Sequence, residues 1–311
     1  MISEIIDNEL KHRVEQAGRF IGNTPLFPIQ RVYQNPRVKI FAKLEWQQLG
    51  SSVKARPAFN IIKDAVDNGL LNQEKHLLDA TSGNTGIAYA AIAAASGIKV
   101  SLCLPENASK ERKTMLKSYG VNIIYTSPFE GTDGAQLEAK SLVKENPLKY
   151  YYADQYANDS NWLAHYRTTG LEVFEQTGGE ITHFVAGLGT TGTFRGTTTR
   201  LRELKPEIKA IALHPDSAMH GLEGWKHMET AIVPKIYDDQ LADENLSIDS
   251  MEAIDLIKEI ALSEGLLVSP SAAANLLGAM KVADSIGEGT IVTVFPDDAS
   301  KYSEVIDQLF K

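Results

Sequence analysis

Short β-rich runs alternate with longer stretches of helical periodicity along almost the whole chain, and this alternation restricts the fold more than any other feature. Strands that each return through a helix lie parallel, and a parallel sheet needs helices on both faces. The runs VKIFAKLEW (38–46), HLLDAT (76–81), KVSLCLP (99–105), NIIYT (122–126), THFVAGL (182–188), KAIALHP (209–215) and GTIVTVFP (289–296) read as strands, most of them bounded by Gly, Pro or Asn. Helical periodicity fills 54–68, 84–96, 109–119, 132–145, 159–176, 193–205, 249–263 and 271–285, with Gly69 and Pro206 stopping two of these. The expected fold class is α/β, with two open, twisted, mostly parallel sheets covered by helices. The βα units form two clusters, and the polar stretch NPLKYYYADQYANDSN (146–161) is the expected seam.

Charge and cysteine content exclude several function classes. The 31 Lys+Arg against 40 Asp+Glu give a formal charge of −9, which argues against a nucleic-acid partner, since phosphate backbones are gripped by clustered cations. Cys103 is the only cysteine, so no internal disulfide or cysteine-based metal cluster is expected, and no metal site is assigned. The start MISEIIDNELKHRV has neither a secretory apolar core nor a basic leader, which points to a cytoplasmic protein. No apolar run approaches the roughly 20 residues that span a bilayer, so no membrane partner is expected.

In open α/β sheets the chemistry gathers in the turns beyond the carboxyl ends of strands. Four turns attract attention. In SSVKARPAFNIIKDA (51–65), Lys54 sits at the mouth of a helix, where the positive end of the dipole disfavours a second positive charge and favours a neutral, nucleophilic amine. The alternative is an ordinary solvated lysine. In DATSGNTG (79–86), Thr81, Ser82, Asn84 and Thr85 with bare N–H groups at a helix start form an anion site suited to a carboxylate, or else simple helix capping.

In VAGLGTTGTFRG (185–196), glycines at 187, 189, 192 and 196 with Thr190, Thr191 and Thr193 read as a phosphate cradle of backbone N–H groups and hydroxyls. A dinucleotide-binding loop is the rival, but no acidic strand end follows at the usual distance. In GLLVSPSAAANLLGAM (265–280), Ser269 and Ser271 stand at a helix start, where a neutral hydroxyl can face a ring nitrogen or cap the helix.

Taken in order, GNTPL (22–26), KLEW (43–46), SVKARPA (52–58), TSGNTG (81–86), RTTGLEV (167–173), GLGTTGTFRG (187–196) and FPDDASKY (295–302) resemble the pyridoxal-phosphate (PLP) enzymes of the tryptophan synthase β-like group. Within it they are similar to the cysteine synthase and cystathionine β-synthase branch. The resemblance spans nearly the whole chain. It implies a larger PLP-binding domain of 1–43 and 149–311 and a smaller mobile domain of 44–148 that binds the substrate carboxylate. It implies that Lys54 is the catalytic lysine holding PLP as an internal aldimine. Thr81, Ser82, Asn84, Thr85 and Gln155 would bind the substrate carboxylate, with Asn84 also near the cofactor ring. Gly189, Thr190, Thr191, Gly192 and Thr193 would hold the phosphate, and Ser271 the pyridine nitrogen.

A serine at that nitrogen makes the cofactor a mild electron sink, which favours β-elimination to an aminoacrylate over deeper carbanion chemistry. The implied function is a cytoplasmic, homodimeric cysteine synthase that makes L-cysteine from O-acetyl-L-serine and sulfide. The alternatives are O-phosphoserine or serine as donor, homocysteine as acceptor, a serine or threonine dehydratase, and a noncatalytic metabolite-binding homologue. The chain departs from the family pattern at Ser51 and Thr191, where glycine is usual, at Ala55, where aspartate is frequent, and at Glu223, which places a carboxylate near the expected mouth of the site.

Overall fold

The computed structural model describes residues 2–81 and 83–311, with the side chains of residues 2–7 left aside. In chain order the elements are α1 (Ile2–Gly18), β1 (Leu26–Ile29), β2 (Val38–Leu44), α2 (Ala55–Asp67), β3 (His76–Ala80), α3 (Asn84–Ser96), β4 (Lys99–Pro105), α4 (Lys110–Ser118), β5 (Asn122–Thr126), α5 (Gly131–Glu145) and β6 (Tyr150–Tyr152). There follow α6 (Asp159–Arg167), α7 (Thr169–Gln176), β7 (His183–Gly187), α8 (Gly192–Leu204), β8 (Lys209–Pro215), β9 (Glu244–Ile248), α9 (Ser250–Glu264), α10 (Pro270–Ser285), β10 (Gly289–Phe295) and α11 (Ser303–Leu309).

Two sheets form, as expected for an α/β chain of this pattern. One has the order β5-β4-β3-β6 and is parallel throughout. The other has the order β1-β2-β10-β7-β8-β9 and is parallel except where β1 runs against β2. The chain groups into two compact units, one of 1–21 and 48–161 and one of 22–47 and 162–311. Helix α1 belongs with the first unit because Leu10, Val14 and Ala17 pack into a core with Ile61, Ile62 and Ile92.

The first unit is built on an alanine-rich helix. Almost every face of α3 is apolar and buried, which marks an enclosed helix, and it ends where Gly97 takes a left-handed conformation at φ 78°. Beside it α2 buries Ala58, Ile61, Ile62, Ala65 and Val66 and stops before Gly69, also left-handed at φ 69°. Alanines let helix and sheet approach closely, and Gly86 of α3 goes further: a Cβ there would lie 2.7 Å from Thr81 and 2.8 Å from Leu102.

In the second unit, α9 and α10 are started by side chains. Asp249 accepts from Met251 N and Glu252 N at 2.8 and 2.9 Å, and Ser269 accepts from Ala272 N at 3.2 Å with Pro270 in the first turn. The helix expected over 159–176 is two, because Thr168 (φ −123°, ψ −73°) leaves helical geometry between α6 and α7.

A charged cluster lies inside this unit. Lys43 of β2 is fully buried, and its Nζ donates to Glu172 at 2.7 Å and to Gln176 Oε1 at 2.9 Å. Its neighbour Glu45 accepts from Thr24 Oγ1 at 2.7 Å, so the KLEW and GNTPL motifs meet RTTGLEV in one hydrogen-bonded knot. Removing one member of a buried pair strands its partner. Lys43→Met should therefore lower the unfolding free energy by about 3–5 kcal/mol in urea titrations, whereas Lys39→Met, at an exposed pair with Glu180, should change it by less than about 1 kcal/mol.

Candidate functional site

The lysine turn begins with two left-handed residues, Gly50 (φ 89°) and Ser51 (φ 48°). Ser51 thus stands at a position whose backbone geometry favours glycine. The turn is tight against α3, since a Cβ on Gly50 would lie 3.2 Å from Ala88 Cα and 3.6 Å from Ala55 Cβ. Ala55 fills that contact and is fully buried, which accounts for a small residue there. Lys54 is the N-cap residue of α2, half-buried, and its side chain caps nothing. Ser52 Oγ accepts from its backbone N–H at 3.3 Å.

At the carboxyl end of β3, Thr81 is buried and its hydroxyl accepts from Gly83 N at 3.2 Å. Ser82 lies outside the described residues. Asn84 opens α3, half-buried, and Thr85 follows it, buried. The Thr85 hydroxyl donates to Gln155 Oε1 at 2.7 Å, so two of the sequence-assigned carboxylate contacts touch each other. Gln155 Nε2 donates to Ala80 O at 2.9 Å, and its carbonyl accepts from Asn161 Nδ2 at 2.6 Å.

The second unit carries the glycine loop, at the carboxyl end of β7. A Cβ on Gly187 would sit 2.0 Å from the Trp225 ring, and one on Gly189 would sit 2.0 Å from Gly224 O. No other residue fits at either place. Thr190 Oγ1 accepts from Gly192 N at 3.4 Å, and Thr193 Oγ1 lies 3.3 Å from His165 Nε2. Thr191, a β-branched residue, is left-handed at φ 73°, and its buried hydroxyl has no hydrogen-bond partner among the described residues. In the same unit Ser271 is buried in the first turn of α10, 3.1 Å from the Ser269 hydroxyl. Ser269 caps the helix, so Ser271 is not needed for capping.

Several residues of these surroundings escaped the sequence reading. Asn275, one turn after Ser271, accepts from Gly187 N at 2.7 Å and donates to Val294 O at 2.7 Å, which locks α10 to the strand leading into the glycine loop. A polar residue amid SAAANLLGAM was the available signal. Arg112 of α4 is buried, and its guanidinium carbon lies 3.3 Å from where a Cβ on Gly83 would be, so a cation backs the Thr81–Thr85 loop. Nothing in KERKTMLKS separates that arginine from its less buried charged neighbours. Glu223, in contrast, is solvent-exposed.

Asp79 is the least expected of them. It is fully buried next to Ala80, and burial raises its carboxyl pKa to about 7, against the lowering effect of hydrogen bonds from Ala80 N and Tyr89. Burial, then the Asp79 carboxylate, holds the Tyr89 phenol well above its ordinary value. Burial also pushes the Cys103 thiol up to about 12, so this sole cysteine stays a neutral core side chain. Among the described residues no group of three or more His, Cys, Asp and Glu is placed to hold a metal ion, and no helix is long and apolar enough to cross a membrane.

Parallel sheets with threonine- and glycine-rich loops between a strand's carboxyl end and a helix start are the architecture of α/β enzymes that take small anionic ligands at those loops. The chain belongs to the family of pyridoxal-phosphate dependent enzymes, which matches residues 18–297, and pyridoxal phosphate is its cofactor. It is 43% identical over 303 residues to a cysteine synthase of Aquifex aeolicus, covering 95% of this chain and 93% of that one. It is 36% identical over 284 residues to cysteine synthase B of Escherichia coli, covering 91% and 92%. The structure of a cysteine synthase (OASS) from Entamoeba histolytica superposes with a TM-score of 0.87 at 31% identity, covering 94% of each chain.

Two outcomes follow from the geometry. Gly189→Ala must displace the Gly224 carbonyl, and should weaken cofactor retention at least about tenfold in equilibrium dialysis, a loss of about 1.4 kcal/mol. The folded protein binds the Asp79 proton more tightly than the unfolded chain, whose aspartates titrate near 3.8. Stability from this group is therefore present below about pH 4 and is lost as pH rises to about 7, by roughly 4 kcal/mol in total. Asp79→Asn should remove that decline, seen as a gap between the two stability curves that changes with pH across this window.

Proposed function

We propose that this protein is a cysteine synthase that replaces the β-acetoxy group of O-acetyl-L-serine with sulfide. The observation that carries the reading is the 43% identity, over 95% of the chain, to a protein named cysteine synthase. Pyridoxal phosphate, when bound, supplies an electron sink that acidifies the substrate Cα–H and lets the β-substituent leave. The side chains supply the rest.

Lys54 would hold the cofactor through its Nζ, and the neutral amine of the same residue would take the proton from the substrate Cα and return it. Its place at a helix start is consistent with that role, because the dipole there favours the uncharged amine. Thr81, Ser82, Asn84, Thr85 and Gln155 receive the substrate carboxylate, with Asn84 also facing the cofactor ring. Hydroxyls and amides can bind that anion without a competing ion pair.

Gly189, Thr190, Thr191, Gly192 and Thr193 hold the phosphate. The head of the 13-residue helix α8 and the Thr191 hydroxyl, which has no hydrogen-bond partner among the described residues, support an anion there. Ser271, buried and free of capping duty, offers a neutral partner to the pyridine nitrogen. The resemblance implies a smaller mobile domain of 44–148 and a larger one of 1–43 and 149–311, and a mobile domain of that kind serves to exclude water from the reacting carbon. The enzyme works in the cytoplasm as a homodimer.

The test is direct. Purified holoenzyme given O-acetyl-L-serine and sulfide should form L-cysteine, and Lys54→Ala should lose at least about 1,000-fold in kcat together with the visible absorbance of the lysine-linked cofactor. Borohydride reduction followed by peptide mass mapping should put the adduct on Lys54. An adduct elsewhere, or a wild-type protein that releases only pyruvate, would overturn the assignment.

A further inference from the structure

Asp79 has no part in the chemistry above, yet it touches every piece that carries the proposed carboxylate contacts. Its Oδ1 accepts from Ala80 N at 2.8 Å, at the strand end that leads into Thr81. Its Oδ2 accepts from the Tyr89 hydroxyl at 3.0 Å, and Tyr89 lies on α3 one turn after Thr85. The same oxygen accepts from the backbone N–H of Gln155 at 3.4 Å. Strand end, helix and the Gln155 segment are thus tied to one carboxylate, and they enclose the 2.7 Å bond between Thr85 and Gln155.

A charged group in the interior is costly, and an apolar residue of the same size would pack without that cost. A carboxylate with three donors is useful where three backbone segments must keep one arrangement. We propose that Asp79, with Tyr89, is a positioning residue of the substrate-carboxylate pocket, setting the separation of Thr85 and Gln155 and so the affinity for the amino-acid donor. The inference rests on the reading that Thr85 and Gln155 bind that carboxylate.

The titratable groups facing Asp79 are Tyr89 on α3, Tyr151 and Tyr152 on β6, Asp154 and Tyr156 in the turn that follows, and Cys103 on β4. The phenols and the thiol are neutral at pH 7 and Asp154 is an acid, so none of these supplies a compensating positive charge. Protonating Asp79 removes acceptor capacity, and the Gln155 N–H holds the longest of its three hydrogen bonds. The raised pKa near 7 places that loss at the acid edge of the physiological range.

The experiment uses the holoenzyme with O-acetyl-L-serine and sulfide. Tyr89→Phe should raise the donor KM about 3–10-fold, with kcat and the sulfide KM within about twofold of wild type. Asp79→Asn should do the same, and should also erase a wild-type inflection near neutral pH in kcat/KM for the donor. Amide hydrogen exchange of the peptide containing Gln155 should speed up in both variants. Tyr89→Phe deletes one hydroxyl and carries the test if Asp79→Asn does not fold.

Gln155→Ala is the control. If it raises the donor KM while Tyr89→Phe and Asp79→Asn leave it unchanged, the positioning role is overturned and the carboxylate reading stands. If Gln155→Ala leaves KM unchanged, the carboxylate reading falls and this inference falls with it. Loss of kcat in step with a rise in KM, with the pH inflection intact in Asp79→Asn, also overturns the role.

Discussion

Where Gly189 passes the Gly224 carbonyl, two stretches of main chain lie too close for any side chain, and the second unit is organised around that approach. A Cβ at 2.0 Å from an oxygen cannot be accommodated by a rotamer change, because the obstacle is backbone. Gly187 repeats the constraint against the Trp225 ring two residues earlier. The 221–225 segment therefore backs the loop from one side, with Lys226 N donating to Leu188 O at 2.8 Å, while Asn275 holds its entry from another. Between these supports lie Thr190 and Thr191, both buried, at the start of α8. Glycine is the residue that allows main chain to approach main chain this closely.

The strands buried on both sides are disclosed by the sequence, and so is the edge strand β5, whose run NIIYT stands between polar turns. KVSLCLP and KAIALHP are central or near-central strands, and their observed bounds, Lys99–Pro105 and Lys209–Pro215, coincide with the runs read from sequence. The strands that escaped are edge strands. LFPI of β1 carries a proline, tolerated because a neighbour pairs on one side alone; ENLSI of β9 is mostly exposed; and YYY of β6 is three residues within a stretch that reads as a polar seam. Edge strands bury less apolar surface, so a short or proline-bearing one carries a weak signal.

The site shows a similar division. Lys54, the 81–85 loop and the glycine loop are legible because each breaks a pattern at a strand end or helix start, where polar or glycine residues stand out against an apolar run. The residues behind them are silent for a physical reason. Asp79 reads as one more polar residue before a turn, Tyr89 as one aromatic in an alanine-rich helix, and Arg112 as one charge among four in KERK. Their importance comes from burial, and burial of a long or charged side chain is decided by tertiary neighbours far along the chain: Gln155 lies 76 residues from the aspartate it contacts.

Backbone strain gathers at the same places. Among the described residues the non-glycine positions at positive φ are Asn23, Ser51, Asp154 and Thr191. Asn23 lies in GNTPL, Ser51 opens the lysine turn, Asp154 immediately precedes Gln155, and Thr191 is inside the glycine loop. Asparagine and aspartate take the left-handed conformation at little cost, whereas a β-branched threonine is strained by roughly 1–3 kcal/mol. Glycine at 191 would relieve that strain, and the unpartnered hydroxyl shows what would be lost with it. A conformational cost retained beside a buried, unsatisfied donor makes sense where a ligand completes the hydrogen bond, because the ligand then supplies the energy that the free fold lacks. The close packing of Gly187 and Gly189 beside Thr191, and of Gly50 beside Ser51, keeps the strain at both turns from relaxing.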